Sequence, residues 1–243
     1  MPTFVHGKGV AVFIDQYNFS SYFGDMTASN NVETAETTTF GDSSKSYIVG
    51  LEDGTVSLSG WFESTTSTGT DQFFATALGT TTKEKVIIAP SGHSNGARAI
   101  MLQSDATSYE VSGAIADVVK ASAEFQATDG LDHGVILSSG SAISATGSGT
   151  GVDNTAASTN GGVAYLSVPT NTRNGNITVK VQQSADNSTF TDLVTFTVVS
   201  STSKTSERVE VAAGTSVARY LRVNYTVAGS TGTATPTVAF SRR

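Results

Sequence analysis

Apolar and polar residues alternate with a period of two along much of this chain, the spacing of strands buried on one face. Val10 to Ile14 is a short apolar strand closed by the turn-like residues Asp15 to Asn18. Over 55–62, Val56, Leu58 and Phe62 share one side, while Ser57, Ser59 and Trp61 share the other. Lys85 to Ala89 is an apolar run of buried-strand type that stops at Pro90. Residues 98–102 and 108–112 read as a further pair of strands. The alternation is clearest over 118–127, where Val119, Ala121, Ala123 and Phe125 oppose Lys120, Ser122, Glu124 and Gln126. One stretch departs from it. Residues 69–79 place Phe73, Phe74, Ala77 and Leu78 at helical spacing, with Thr70 or Asp71 as N-cap and Gly79 as the stop. They predict a short amphipathic helix lying on a sheet.

Around 138–162 the sequence turns to Ser, Gly, Thr and Asn, which fits either a flexible linker or strand-joining loops of a second domain. Strands resume at 163–168, 177–183, 193–199, 207–211, 217–227 and 236–240, the count and spacing of a β-sandwich that begins near Gly134. The expected fold class is therefore all-β with one short helix, in two domains, 1–134 and 135–243.

Composition agrees with that class. The 243 residues include 32 Ser, 36 Thr and 24 Gly, too apolar overall for disorder and lacking the helix formers of a bundle. There is no run of roughly 18 apolar residues to cross a bilayer, so no membrane insertion is expected, and the first residues lack the apolar stretch of a signal peptide. With no cysteine, disulfides and thiolate metal sites are excluded. The net charge of -7 divides unevenly: 16 Asp/Glu against 6 Lys/Arg in 1–134, but 5 against 8 in 135–243. An acidic first half argues against ordinary DNA binding, though not against lying near DNA without holding it.

No catalytic signature emerges. His6, His93 and His133 lie far apart, and no GxSxG, SxxK or HExxH motif occurs. Asp129 to His133 is the densest candidate for a cation, but it reads more simply as a polar turn. Gly147 to Gly151 has the composition of a phosphate loop without its lysine or its strand–loop–helix frame. The carboxylate pairs Glu33/Glu36 and Glu52/Asp53 fit solvated strands and turns. Trp61, Tyr165, Tyr220 and Tyr225 would offer sugar-stacking faces if exposed, and core packing if not. The expectation is a protein with no enzymatic activity, catalytic residues, metal or cofactor.

The most distinctive stretch is Thr37 to Phe62, TTTFGDSSKSYIVGLEDGTVSLSGWF. It resembles the tail tube proteins of long-tailed bacteriophages, in which T-T-F-G-D leads through K-x-Y and G-L-x-D-G into a strand S-L-S-G-x-F. Ile14 to Phe23 is similar to that family's opening strand and turn, with Asn18-Phe19 where Asp-Leu is usual. The likeness covers roughly residues 4–134. It implies a tail-tube-type β-barrel or sandwich domain whose copies close into six-membered rings, stack, and pass phage DNA through the lumen without specific binding. It implies partners in other tail proteins, a place in the virion tail, and assembly in the host cytoplasm. The 135–243 sandwich would then decorate the tube exterior, with host-surface glycan as a possible ligand. We take Phe40, Asp42, Lys45 and Tyr47 as candidate contacts between rings or subunits. The acids Glu33, Glu36, Glu63, Glu110 and Glu124 are the candidate lumen residues. The alternative is a capsid decoration or host-surface carbohydrate-binding adhesion protein.

Overall fold

The computed structural model describes residues 5–65 and 69–243. Its regular structure is almost entirely strand. A 3-10 turn, Gly7–Gly9, precedes β1 (Ala11–Ile14), β2 (Tyr17–Asn18), β3 (Phe23–Glu36) and β4 (Tyr47–Trp61). Helix α1 (Thr70–Ala77) is followed by β5 (Glu84–Ala89), β6 (Arg98–Ser112), β7 (Lys120–Ala127) and β8 (Asp132–Ser139). The remaining strands are β9 (Gly147–Ser148), β10 (Val152–Asp153), β11 (Gly162–Val168), β12 (Ile177–Ser184), β13 (Thr191–Thr195), β14 (Thr205–Val211), β15 (Tyr220–Val227) and β16 (Thr237–Arg242). The all-β reading with one short helix is what the structure shows.

Two compact units divide the chain. The first joins Met1–Ser20, Lys85–Met101 and Asp132–Arg243; the second joins Ser21–Glu84 and Leu102–Leu131. This differs from a single cut near 134. Gly134 lies inside β8, which pairs with the start of β6 (Arg98 with Val135) and with β16 (Phe240 with Val135). Nor are 98–102 and 108–112 two strands: both belong to β6, whose early residues serve the first unit and later ones the second.

The first unit is a sandwich. One sheet runs β14-β11-β16-β8, then the start of β6, then β5-β1-β2; the other runs β10-β15-β12-β13 with β9 beside β15. β11 is buried on both faces, which explains an apolar run broken only by Ser167. Ala164, Leu166 and Val168 meet Val179, Val181, Leu221 and Val223 of the facing sheet. Val163 and Tyr165 join Phe13, Ile87 and Met101 on the other side. The Ser/Gly/Thr-rich stretch 138–162 is neither a free linker nor uniform loop, since it contributes β9 and β10 to the second sheet.

In the same unit the His93 ring packs on Phe13, centroids 4.7 Å apart, and Nε2 lies 3.3 Å from Thr237 Oγ1. Burial lowers the His93 pKa below its usual 6.5. Above that value the ring is neutral whether the chain is folded or not; below it the unfolded chain takes the proton first, so stability falls with pH. Replacing His93 by Gln should shrink the stability lost between about pH 7 and about pH 5 in urea titrations. An undiminished loss would assign it to carboxylates instead.

The second unit is a four-stranded antiparallel meander ordered β3-β4-β7-β6, with α1 against one face. Val56 and Leu58 of β4 and Ala121, Ala123 and Phe125 of β7 are buried on that face. Phe74 of α1 anchors the helix there, its ring 5.9 Å from Phe23, 5.6 Å from Tyr109 and 5.9 Å from Phe125. The N-cap is Gly69, not Thr70 or Asp71, and offers no side-chain bond; Thr70 is instead buried, with its hydroxyl accepting from Glu63 N. Gly79, at φ +73°, turns the chain away after the helix. Gly60 has a packing role: a Cβ there would lie 2.0 Å from the Tyr22 carbonyl, which accepts Trp61 N–H at 2.9 Å.

Candidate functional site

The stretch most distinctive in sequence folds as a long hairpin. β3 and β4 pair from Phe23 opposite Gly60 to Glu36 opposite Tyr47, with register shifts at Phe23/Asp25 and Val32/Thr34. Near α1 the strands have a buried face. Beyond Asn30 they have none, and every residue from 30 to 53 is exposed. Val32, Tyr47, Ile48, Val49 and Leu51 lie in this part, with Val49 77% and Leu51 78% exposed. Leaving aliphatic side chains in water forgoes about 25 cal/mol per Å² of burial, and a run of them on one element marks a contact surface.

The four predicted contact residues divide by role. Asp42 accepts hydrogen bonds from Thr39 N at 2.7 Å and Thr39 Oγ1 at 3.1 Å, closing the tip on itself. Lys45 pairs with Glu36 at 2.9 Å, and this bond, with Thr38 second, holds the Glu36 carboxyl below its usual range. Phe40 and Tyr47 point outward, Phe40 fully exposed. The 24–50 segment is thus an intrachain hairpin and an open surface at once. The exposed aliphatic residues were missed in the sequence because Tyr47 to Leu51 is an apolar run broken only by Gly50, the pattern of a buried strand.

The sheet face opposite α1 is polar. A shallow trough on it is lined by Asp25 and Thr27 of β3, Ser57 and Ser59 of β4, Glu110 of β6, and Ser122 and Glu124 of β7. Cross-strand register sets this directly, Asp25 facing Ser59, Ser57 facing Glu124, and Glu110 facing Ser122. Glu124 accepts from Ser57 Oγ at 3.3 Å. Of the five predicted lumen acids, Glu110 and Glu124 share this face. Glu33 and Glu36 stand on the exposed hairpin. Glu63 lies beyond β4, where its carboxylate accepts from Thr65 N at 2.9 Å and its carbonyl accepts from Asp71 N. Asp25 is a trough acid that sequence reading overlooked; its signal was the alternation Asp25, Thr27, Ser29 against Met26 and Ala28.

Charge separates by unit more sharply than by sequence half. The second unit holds fourteen Asp/Glu and three Lys, a balance of -11, so the rest of the chain carries +4. All three lysines are engaged: Lys45 with Glu36, Lys83 with Asp105, and Lys120 with Asp117 at 3.2 Å. The acidic excess is therefore not offset locally.

The other sequence candidates are placed as follows. Tyr165 and Tyr225 are buried, their hydroxyls donating to Asp132 Oδ2 at 3.0 Å and to Ser138 Oγ, so neither offers a face to a sugar. Tyr220 lies beneath the Arg219 guanidinium, 5.0 Å from the ring centre, and Trp61 belongs to the other unit. Asp132 and His133 begin β8 instead of forming a turn with Asp129. Among the described residues, no three His, Asp or Glu side chains converge as a metal site would require.

No family model and no curated protein matches the sequence. Among solved structures the chain is similar to a protein of the virion of a native gene transfer agent particle, at 12% identity and a TM-score of 0.42, over 53% of this chain and 97% of that one. A chain from the tail of an empty gene transfer agent particle, refined with C6 helical symmetry, gives 14% and 0.41 over 52% and 96%. The Dit (gp 19.1) protein of phage SPP1, from a hub adsorption apparatus, gives 12% and 0.37 over 96% and 98%.

Proposed function

We propose that this chain is a structural subunit of a bacteriophage tail tube. Copies associate through the acidic unit into rings, the sequence resemblance implying six, and the rings stack into a tube that conducts DNA. The observation that carries this reading is the hairpin β3–β4, which extends beyond its own core with aliphatic side chains in solvent on the stretch where the tube-family motif lies. Two further features support it. Within its unit β3 is an edge strand, bonded only to β4 among the described residues, and such an edge is satisfied when a neighbouring copy pairs with it. The face bearing Asp25, Glu110 and Glu124 is suited to a lumen, because carboxylates repel phosphate and leave DNA free to slide. Glu33, Glu36 and Glu63 lie off that face, so the lumen role belongs to Glu110, Glu124 and Asp25. The partners are further copies of the chain and other tail proteins, and the sandwich unit lies on the tube exterior.

Negative-stain microscopy of the purified full chain tests the reading: rings or tubes are expected, and particles that remain single at every concentration would overturn it. Deleting 37–46 should leave a folded protein that does not polymerise. A tube map with a neutral or basic lumen would overturn the role given to the acidic face.

A further inference from the structure

The second unit has another uncovered apolar end. The β6–β7 connection, Gly113 to Val119, is exposed throughout, with Ile115 fully open, Val118 at 59% and Val119 at 41%. Trp61, at the far end of β4 and paired with Lys120, is 49% exposed beside it in the register. β4 begins at Tyr47 in the exposed hairpin and ends at Trp61, so both apolar surfaces lie on one sheet, at opposite ends of a strand about 50 Å long.

We infer that these two ends are the two halves of one contact: the hairpin of one copy docks on the β6–β7 connection and Trp61 of the next. This deepens the tube reading and rests on it. Charge selects the occupant. Two exposed hairpins packed against each other would crowd two sets of Glu33, Asp42, Glu52 and Asp53 together. The β6–β7 end is balanced, since Asp117 and Lys120 neutralise each other across 3.2 Å. A hairpin meeting that end avoids like-charge repulsion and covers aliphatic surface on both partners. Joining two different surfaces is a heterologous contact, which propagates head to tail and does not stop at a dimer.

The absence of cysteine allows a direct test with Leu51→Cys and Ile115→Cys, both at exposed positions where the substitution leaves packing intact. The two variants are copolymerised, checked for assemblies by microscopy under reducing conditions, and then mildly oxidised. A mixed disulfide product is expected from the mixture, and none from either variant alone. Assemblies without the mixed product, or efficient cross-linking of Leu51→Cys to itself, would overturn this contact and leave the tube reading standing. No assemblies at all would overturn both. Ile115→Asp, oppositely, should abolish polymerisation without changing the unfolding midpoint; normal tubes from it would also overturn the contact.

Discussion

Replacing Arg173 with alanine is expected to destabilise the protein by about 3–5 kcal/mol, more than any single surface change. Arg173 is 1% exposed, and among the described residues no carboxylate pairs with it. Its guanidinium is met by backbone carbonyls instead. Nη1 donates to Ser144 O at 2.9 Å and Gly232 O at 2.7 Å; Nη2 donates to Ala228 O at 3.0 Å and Gly229 O at 2.7 Å. One planar fork thus gathers two separate connections of the sandwich. Removing it leaves four carbonyls short of a donor; their residues are exposed or half-exposed, so water meets part of the demand and the cost stays below four fully buried losses. Lysine should recover only part of the loss, because three donors on a flexible stem do not reproduce the fork. Urea unfolding of the full chain measures this. A loss below about 1 kcal/mol would show that the connections hold one another without the guanidinium.

The second large effect is expected at Phe74. It is 1% exposed and is the side chain through which α1 meets β3, β6 and β7. Phe74→Ala removes a ring from a small core and leaves a cavity, a change that costs about 3–5 kcal/mol. Tyr109 would lose its ring partner while its hydroxyl stayed tied to Asp71 at 3.0 Å, so the sheet cannot simply close over the gap. Hydrogen exchange should show protection lost in β3, β4 and β7 while β11, β12 and β15 keep theirs, and tubes should fail to form. Uniform loss across all six strands would mean that the two units unfold as one.

The sequence announces those elements whose burial writes a period into them. β7 and β12 alternate cleanly, β11 is an apolar run interrupted only by Ser167, and α1 carries its helical spacing, so each was placed within a residue or two. β3 was not legible, since its outer half is bonded to β4 yet buries nothing, and a strand in solvent need not alternate. β8 was hidden for another reason. Its partners are Arg98 to Met101 and Thr237 to Ser241, pairings across distant sequence that local pattern does not encode, so its position was taken for a domain boundary. Of the candidate site, the sequence singled out the hairpin stretch and named Glu110 and Glu124, which cross-strand register sets on one polar face. The trough itself was not, because it depends on which strands become neighbours.

The chain passes between its two units four times, at Ser20/Ser21, Glu84/Lys85, Met101/Leu102 and Leu131/Asp132. Neither unit is a contiguous piece of gene. A crossover within the coding sequence that exchanged everything up to residue 134 for that of another protein would also carry off β1, β5 and the start of β6 and strand the sandwich without them. Transplanting the acidic unit intact takes two exchanges made together. The unit that we assign to tube building should therefore be inherited with its sandwich as a single block, and tubes with and without such a sandwich should differ by more than an added tail.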